Sequence, residues 1–122
     1  MNDCELCRED LVVFGDENAF VRHDNNSLSK GHVLIVPRRH VADFFDMTWD
    51  EKTSVLALLD KARAVISSEH APDGFNIGVN IGKAAGQSRM HVHVHLIPRY
   101  AGDVVDPSGG IRCVLPRRSA HR

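Results

Sequence analysis

In the run His91-Val92-His93-Val94-His95-Leu96-Ile97-Pro98, imidazoles alternate with aliphatic side chains. Successive side chains of a strand point to opposite faces. On a strand over 90–97 the three imidazoles therefore share one face, spaced about 6.5–7 Å apart. Val92, Val94 and Leu96 share the other face and must pack into a core. The run thus demands a sheet that is apolar on one side and chemically equipped on the other. Any single histidine here would pass as the polar surface of a half-buried strand; three in register form a row that can do chemistry.

The remainder of the chain supplies the sheet and its cover. Residues 10–14 and 19–22 are short runs rich in Val and Phe, and the turn-forming Gly15-Asp16-Glu17-Asn18 between them predicts an opening hairpin. The polar stretch 24–30 reads as a loop, Gly31 admits a strand over 32–36, and Pro37 closes it. A run as apolar as Val33-Leu34-Ile35-Val36 suggests a central strand buried on both sides. Thr48 and Glu51 have capping-box spacing. From there Val55, Leu58, Leu59, Ala62, Val65 and Ile66 recur at helical spacing up to about His70, ahead of Pro72 and Gly74. This stripe is read as core rather than as a partner face. Strands over 75–81 and 90–97, joined by a Gly-containing loop at 82–88, complete the pattern, and the chain from Tyr100 onward reads as irregular. Strands, one long helix, then strands again make an α+β domain with a mostly antiparallel sheet of about five strands.

Composition sets the outer limits. With 122 residues, 43% of them hydrophobic and 25% charged, the chain can bury a core of its own. No repeat or linker divides it, so residues 1–122 are read as one domain, with its core at about 4–100 and an irregular segment over 101–122. No apolar run approaches the roughly 20 residues of a membrane helix. The formal charge of −1 argues against nucleic acid or an anionic membrane as partner, and the basic tail of Arg117, Arg118, His121 and Arg122 is read as solvated. The sequence opens without a charged-then-apolar leader, and its three cysteines are an odd number. A disulfide-stapled secreted fold is not expected, and a cytoplasmic location is.

Two kinds of chemistry use imidazoles in such a row. Neutral imidazole is a common metal ligand, so the row could hold a catalytic zinc. It is also a nucleophile able to attack phosphorus and then be displaced by water. The second use needs a phosphate cradle, and Gly86-Gln87-Ser88, just upstream, can offer backbone N–H groups, an amide and a hydroxyl. Cys4-x-x-Cys7 is either a redox pair or half of a tetrahedral metal site, which would need two further ligands.

The pattern His-φ-His-φ-His-φ-φ, with φ apolar, resembles the signature of the histidine triad (HIT) superfamily of nucleotide hydrolases and transferases, and His91 to Ile97 match it at every position. Asn80-Ile81-Gly82, Ala85-Gly86-Gln87-Ser88 and Gly31-His32-Val33-Leu34-Ile35-Val36-Pro37-Arg38-Arg39-His40 extend the resemblance. The segment from Gly102 to Gly110 looks like the bacterial diadenosine-polyphosphate hydrolase-like branch. The resemblance implies that His93 is the nucleophile, attacking the α-phosphorus of a dinucleoside polyphosphate or nucleoside phosphoramidate to give a nucleotidyl-histidine. By the same resemblance His95 bonds the α-phosphate oxygens, and Gln87, Ser88 and Asn80 cradle the transferring group. His32 orients the triad. Asp24 bonds the ribose hydroxyls, with an Asx-type loop cap as its plain structural alternative. Ser27 stands where many relatives carry proline. A subset of the family binds a structural zinc through residues matching Cys4, Cys7, His40 and His91, and the family pairs into homodimers. No catalytic metal is implied.

Two rival functions stay open on sequence. One is a nucleotide-binding sensor or scaffold with vestigial turnover. The other is a zinc hydrolase whose ligands are His91, His93 and His95. Arg38, Arg39 and Arg99 are candidates for distal phosphates against plain solvation, and Lys83 and Arg89 flank the loop.

Overall fold

Asp16 folds the first hairpin: its Oδ1 accepts the backbone N–H of Asn18 at 2.8 Å and of Ala19 at 2.9 Å, so β1 (Val12–Gly15) turns directly into β2 (Ala19–His23). The computed structural model describes residues 4–116; the basic tail residues Arg117, Arg118, His121 and Arg122 lie outside the described residues. Three more strands follow, β3 (Val33–Pro37), β4 (Gly74–Gly78) and β5 (Val94–Arg99). They form one antiparallel sheet in the order β1-β2-β3-β5-β4. The helix α1 (Trp49–His70) lies across one face. Its capping box is complete, with Thr48 Oγ1 accepting from Glu51 N–H at 3.1 Å and Glu51 Oε1 accepting from Thr48 N–H at 2.8 Å.

The sheet has two differently used faces. Ala19, Val21, Val33, Ile35, Val94 and Leu96 pack against Val55, Leu58, Ala62 and Ile66 of α1 in the main core. On the opposite face Leu6, Phe20, Leu34 and Val36 form a second, smaller cluster. Strand parity explains the division, since Phe20, Arg22, Leu34 and Val36 alternate with the residues of the main core. Register places Arg22 opposite Leu34 and Leu34 opposite His95, so these three form one row across β2, β3 and β5 on the face away from the helix. β3 is buried along its whole length, as a central strand between two apolar layers requires.

Three expected elements differ in extent. The strand expected over 90–97 enters the ladder only at Val94 and continues to Arg99. Upstream of it residues 89–91 bend, and Val92 N–H donates to the carbonyl of Val41 at 2.8 Å instead of to a strand. The strand expected over 75–81 spans Gly74–Gly78, because Gly78 pairs with His95 and the chain then leaves the sheet for the 82–88 loop. Of the expected helical stripe, Leu59 is only partly buried and Val65 is exposed. Gly31 has φ +89°, and a Cβ there would lie 3.1 Å from both His70 and Ile66, so the turn into β3 needs glycine for conformation and for space.

Candidate nucleotide site on the sheet face opposite the helix

A chain of hydrogen bonds sets the proton positions of the histidines. Leu28 N–H donates to His32 Nδ1 at 3.0 Å, which leaves the ring proton of neutral His32 on Nε2. His32 Nε2 lies 3.0 Å from His95 Nδ1 and 3.3 Å from Asp24 Oδ2. Donation to His95 Nδ1 puts the proton of neutral His95 on Nε2. His93 is fixed separately: its Nδ1–H donates to the carbonyl of His91 at 2.9 Å, so its Nε2 carries a lone pair. The rings of His93 and His95 lie 5.3 Å apart and those of His32 and His95 5.2 Å apart. The row therefore presents one bare nitrogen beside one N–H donor.

Burial favours the neutral forms this relay needs. His32 is 1% exposed, and burial pushes its pKa below the ordinary value while Asp24 pulls the other way. Burial also lowers that of His95, helped by the neighbouring His93 and His32 and opposed by Asp24.

His93 and His95 open on a cavity of about 240 Å³. Asn80, Gly86, Ser88 and Arg89 form its wall on the loop side, and Asp24, Asn25 and Asn26 its wall on the β2 side. Gln87 is not part of the lining. It is 5% exposed, its Nε2–H groups donate to the carbonyls of Ala42 at 2.7 Å and Arg89 at 3.0 Å, and its Oε1 accepts from Gly82 N–H at 2.8 Å. Its amide thus clamps the loop that carries Ser88. Asp24 has two uses: Oδ1 accepts from Asn26 N–H at 2.9 Å in an Asx-type turn, while Oδ2 faces His32 and His95.

His91 belongs to a different constellation. It is fully buried, its Nε2–H donates to the carbonyl of Pro37 at 2.7 Å, and Cys4 and Cys7 Sγ each lie 3.3 Å from its Nδ1. His40 Nδ1 lies 3.1 Å from Cys7 Sγ. The donor atoms of Cys4, Cys7, His40 and His91 all fall within 4.8 Å of one another. Two thiols and two imidazoles suit tetrahedral zinc, and the Pro37 carbonyl fixes the His91 tautomer so that Nδ1 faces the thiols. With that nitrogen turned to the cysteines, His91, His93 and His95 form no common ligand set among the described residues.

The HIT domain model matches residues 7–102. The chain belongs to the HIT domain family. Among HIT relatives, an AP-4-A phosphorylase of Mycobacterium tuberculosis is 43% identical over 96 residues, covering 78% of this chain and 49% of the relative, so the chain spans about half that protein's length. The crystal structure of a HIT family protein from Bacillus anthracis superposes with a TM-score of 0.77 at 32% identity, over 84% of this chain and 77% of that one. A zinc-bound histidine triad family protein from Mycobacterium smegmatis gives 0.75 at 28%, over 85% and 80%.

The HIT fold thus gathers His93, His95, Asp24, Asn80 and Ser88 at one cavity, with His32 buried behind His95, and sets Cys4, Cys7, His40 and His91 apart from it. The candidate phosphate arginines are engaged elsewhere. Arg39 grips Glu51 with two hydrogen bonds, Arg99 holds Asp103 and Asn76, and Arg38 pairs with Glu9. The residues that sequence reasoning passed over are Glu5 and Arg22, both in the cavity wall. The available signal for Arg22 was parity: in β2 it alternates with Val21, whose side is the helix side.

Proposed function

We propose that the protein cleaves a nucleoside-phosphate bond at the α-phosphorus, with His93 as nucleophile. The observation that carries this is the tautomer of His93, whose Nδ1–H is held by the His91 carbonyl and whose Nε2 lone pair stands beside the N–H of His95. In the first step Nε2 attacks phosphorus, the bond from phosphorus to the leaving group breaks, and the leaving group departs with the bonding electrons. The His91 carbonyl stabilises the positive charge that develops on the ring, His95 Nε2–H bonds an α-phosphate oxygen, and Ser88 and Asn80 hold the transferring group. Gln87 supports them by clamping the loop. Water then attacks the same phosphorus, the N–P bond breaks, and a nucleoside monophosphate leaves. With phosphate as acceptor the product is a nucleoside diphosphate.

Asp24 meets the ribose hydroxyls, and His32 is a positioning residue that sets the His95 tautomer. Cys4, Cys7, His40 and His91 hold a structural zinc; its closed set of four ligands supplies folding energy and takes no part in the reaction. The named activity of the phosphorylase relative supports a dinucleoside polyphosphate as substrate. We also propose that the chain forms a homodimer.

The test is chromatographic. Wild type and His93→Ala are incubated with diadenosine tetraphosphate or adenosine phosphoramidate, with and without inorganic phosphate. Wild type is expected to release AMP, or ADP where phosphate is the acceptor, and the folded variant to be slower by several orders of magnitude. Equal turnover by the variant sinks His93 as nucleophile. No turnover by wild type, with nucleotide still bound, makes the protein a sensor.

A further inference from the structure

Among the described residues, the buried side-chain nitrogen or oxygen without a hydrogen-bond partner is Nη1 of Arg22. The side chain is 1% exposed and lies in the wall of the cavity that contains His93 and His95. Its Nε–H donates to the carbonyl of His23 at 3.3 Å, and Nη2 reaches Glu5 Oε1 only at 3.5 Å. Glu5 is itself divided. Its Oε1 accepts from Asn25 Nδ2 at 2.9 Å and its Oε2 pairs with Arg89 Nη1 at 2.7 Å. Withdrawing a guanidinium from water without matching acceptors is among the costliest arrangements in a protein, so donors left over in a ligand cavity call for acceptors on the ligand.

Position says which part of the ligand supplies them. Arg22, Leu34 and His95 lie in one row, so Arg22 stands two strand spacings, about 9.6 Å, from His95. Asp24, two residues after Arg22 in the chain and in the same cavity wall, has its Oδ2 3.7 Å from His95 Nδ1. With phosphorus at His93 and ribose at Asp24, as the proposed function has it and on which this inference rests, the base is what reaches Arg22. A guanidinium fork matches two adjacent acceptors, as on O6 and N7 of guanine. Adenine offers N7 beside an amino group, which would set N–H against N–H. Leu6 and Leu34 give the ring an apolar surface to lie on. We propose that Arg22 makes this site selective for 6-oxopurine nucleotides, guanine or hypoxanthine over adenine. The 3.5 Å contact to Glu5 is the one the base displaces.

Calorimetric titration of the wild-type protein with GMP, IMP and AMP tests this. GMP and IMP are expected to bind at least about tenfold tighter than AMP. In Arg22→Leu the three affinities should converge to within about threefold, since the bidentate discrimination is gone. Should that variant fail to fold, Arg22→Lys keeps the charge without the fork and should lose selectivity while still binding AMP. Equal affinities in wild type, tighter AMP binding, or no binding of any of the three overturns the proposal. Turnover of diguanosine and diadenosine tetraphosphate separates it from the proposed function. Selective binding with no cleavage of either leaves the base reading standing and removes the reaction, whereas equal cleavage of both does the reverse.

Discussion

At the scale of single residues, the site works through proton positions that backbone groups dictate. Leu28 N–H and the His91 carbonyl are the two fixed points, and between them they decide which nitrogen of His32, His95 and His93 carries hydrogen. The same burial makes stability depend on pH. His32 and His95 have pKa values lowered from 6.5, so the unfolded chain binds more protons than the folded one between their folded values and 6.5. Stability is therefore full above 6.5 and declines as pH falls below it. A second decline follows below 4.5, where Glu51, lowered by its hydrogen bonds with Arg39, loses its native advantage. Thermal melts from pH 8 to 4 should show the first drop, and His32→Gln should flatten it. A melting temperature that is level between pH 7 and 5 would remove this account. Sequence reasoning found the histidines because alternation is visible in a chain. It could not find that Gln87 is consumed as a clamp, or that Arg22 is buried, since both depend on neighbours distant in sequence.

At the scale of elements, each piece positions one part of the site. The capping box and the Arg39–Glu51 pair anchor the start of α1. β3 carries Leu34 between Arg22 and His95. The N-terminal turn at Glu5–Cys7 has little sheet of its own, and what ties it down is Leu6 in the second core cluster and the contacts of Cys4 and Cys7 with His91. Zinc at this set would fasten that turn, which also carries Glu5, to the chain entering β5. Purified protein should contain about one zinc per chain by plasma mass spectrometry, and Cys7→Ser should contain none. Chelation should lower the melting temperature by several degrees and leave a residual turnover governed by His93. Turnover abolished by chelation in a still-folded protein would instead revive a catalytic metal.

At the scale of the whole molecule, β4 is a sheet edge, and beside it Phe44, Trp49, Leu56, Leu59 and Ile77 line a largely apolar groove. Trp49 is 80% exposed and Ile77 56%. An edge left unpaired among the described residues, next to such a surface, suits pairing with a second copy. Light scattering should give twice the 13.6 kDa of one chain, and Ile77→Asp should return the monomer. A wild-type mass of one chain rejects the dimer. No helix among the described residues is long and apolar enough to cross a membrane.

What the sequence by itself determined is whatever repeats with a local period or sits within a few residues: the opening hairpin, the capped helix, the buried β3 and the glycine turn before it. These follow from backbone geometry and so are legible without a partner. Family resemblance grouped His91 with Cys4, Cys7 and His40, but local periodicity put it in one row with His93 and His95, and the tertiary structure turns it to the cysteines while those two face the cavity. The tertiary structure alone decided that the ladder of β5 starts only at Val94, and that Arg22 ends beside Glu5 with a donor to spare. Burial and hydrogen-bond satisfaction are properties of a place, and a place exists only once strands remote in sequence have been paired.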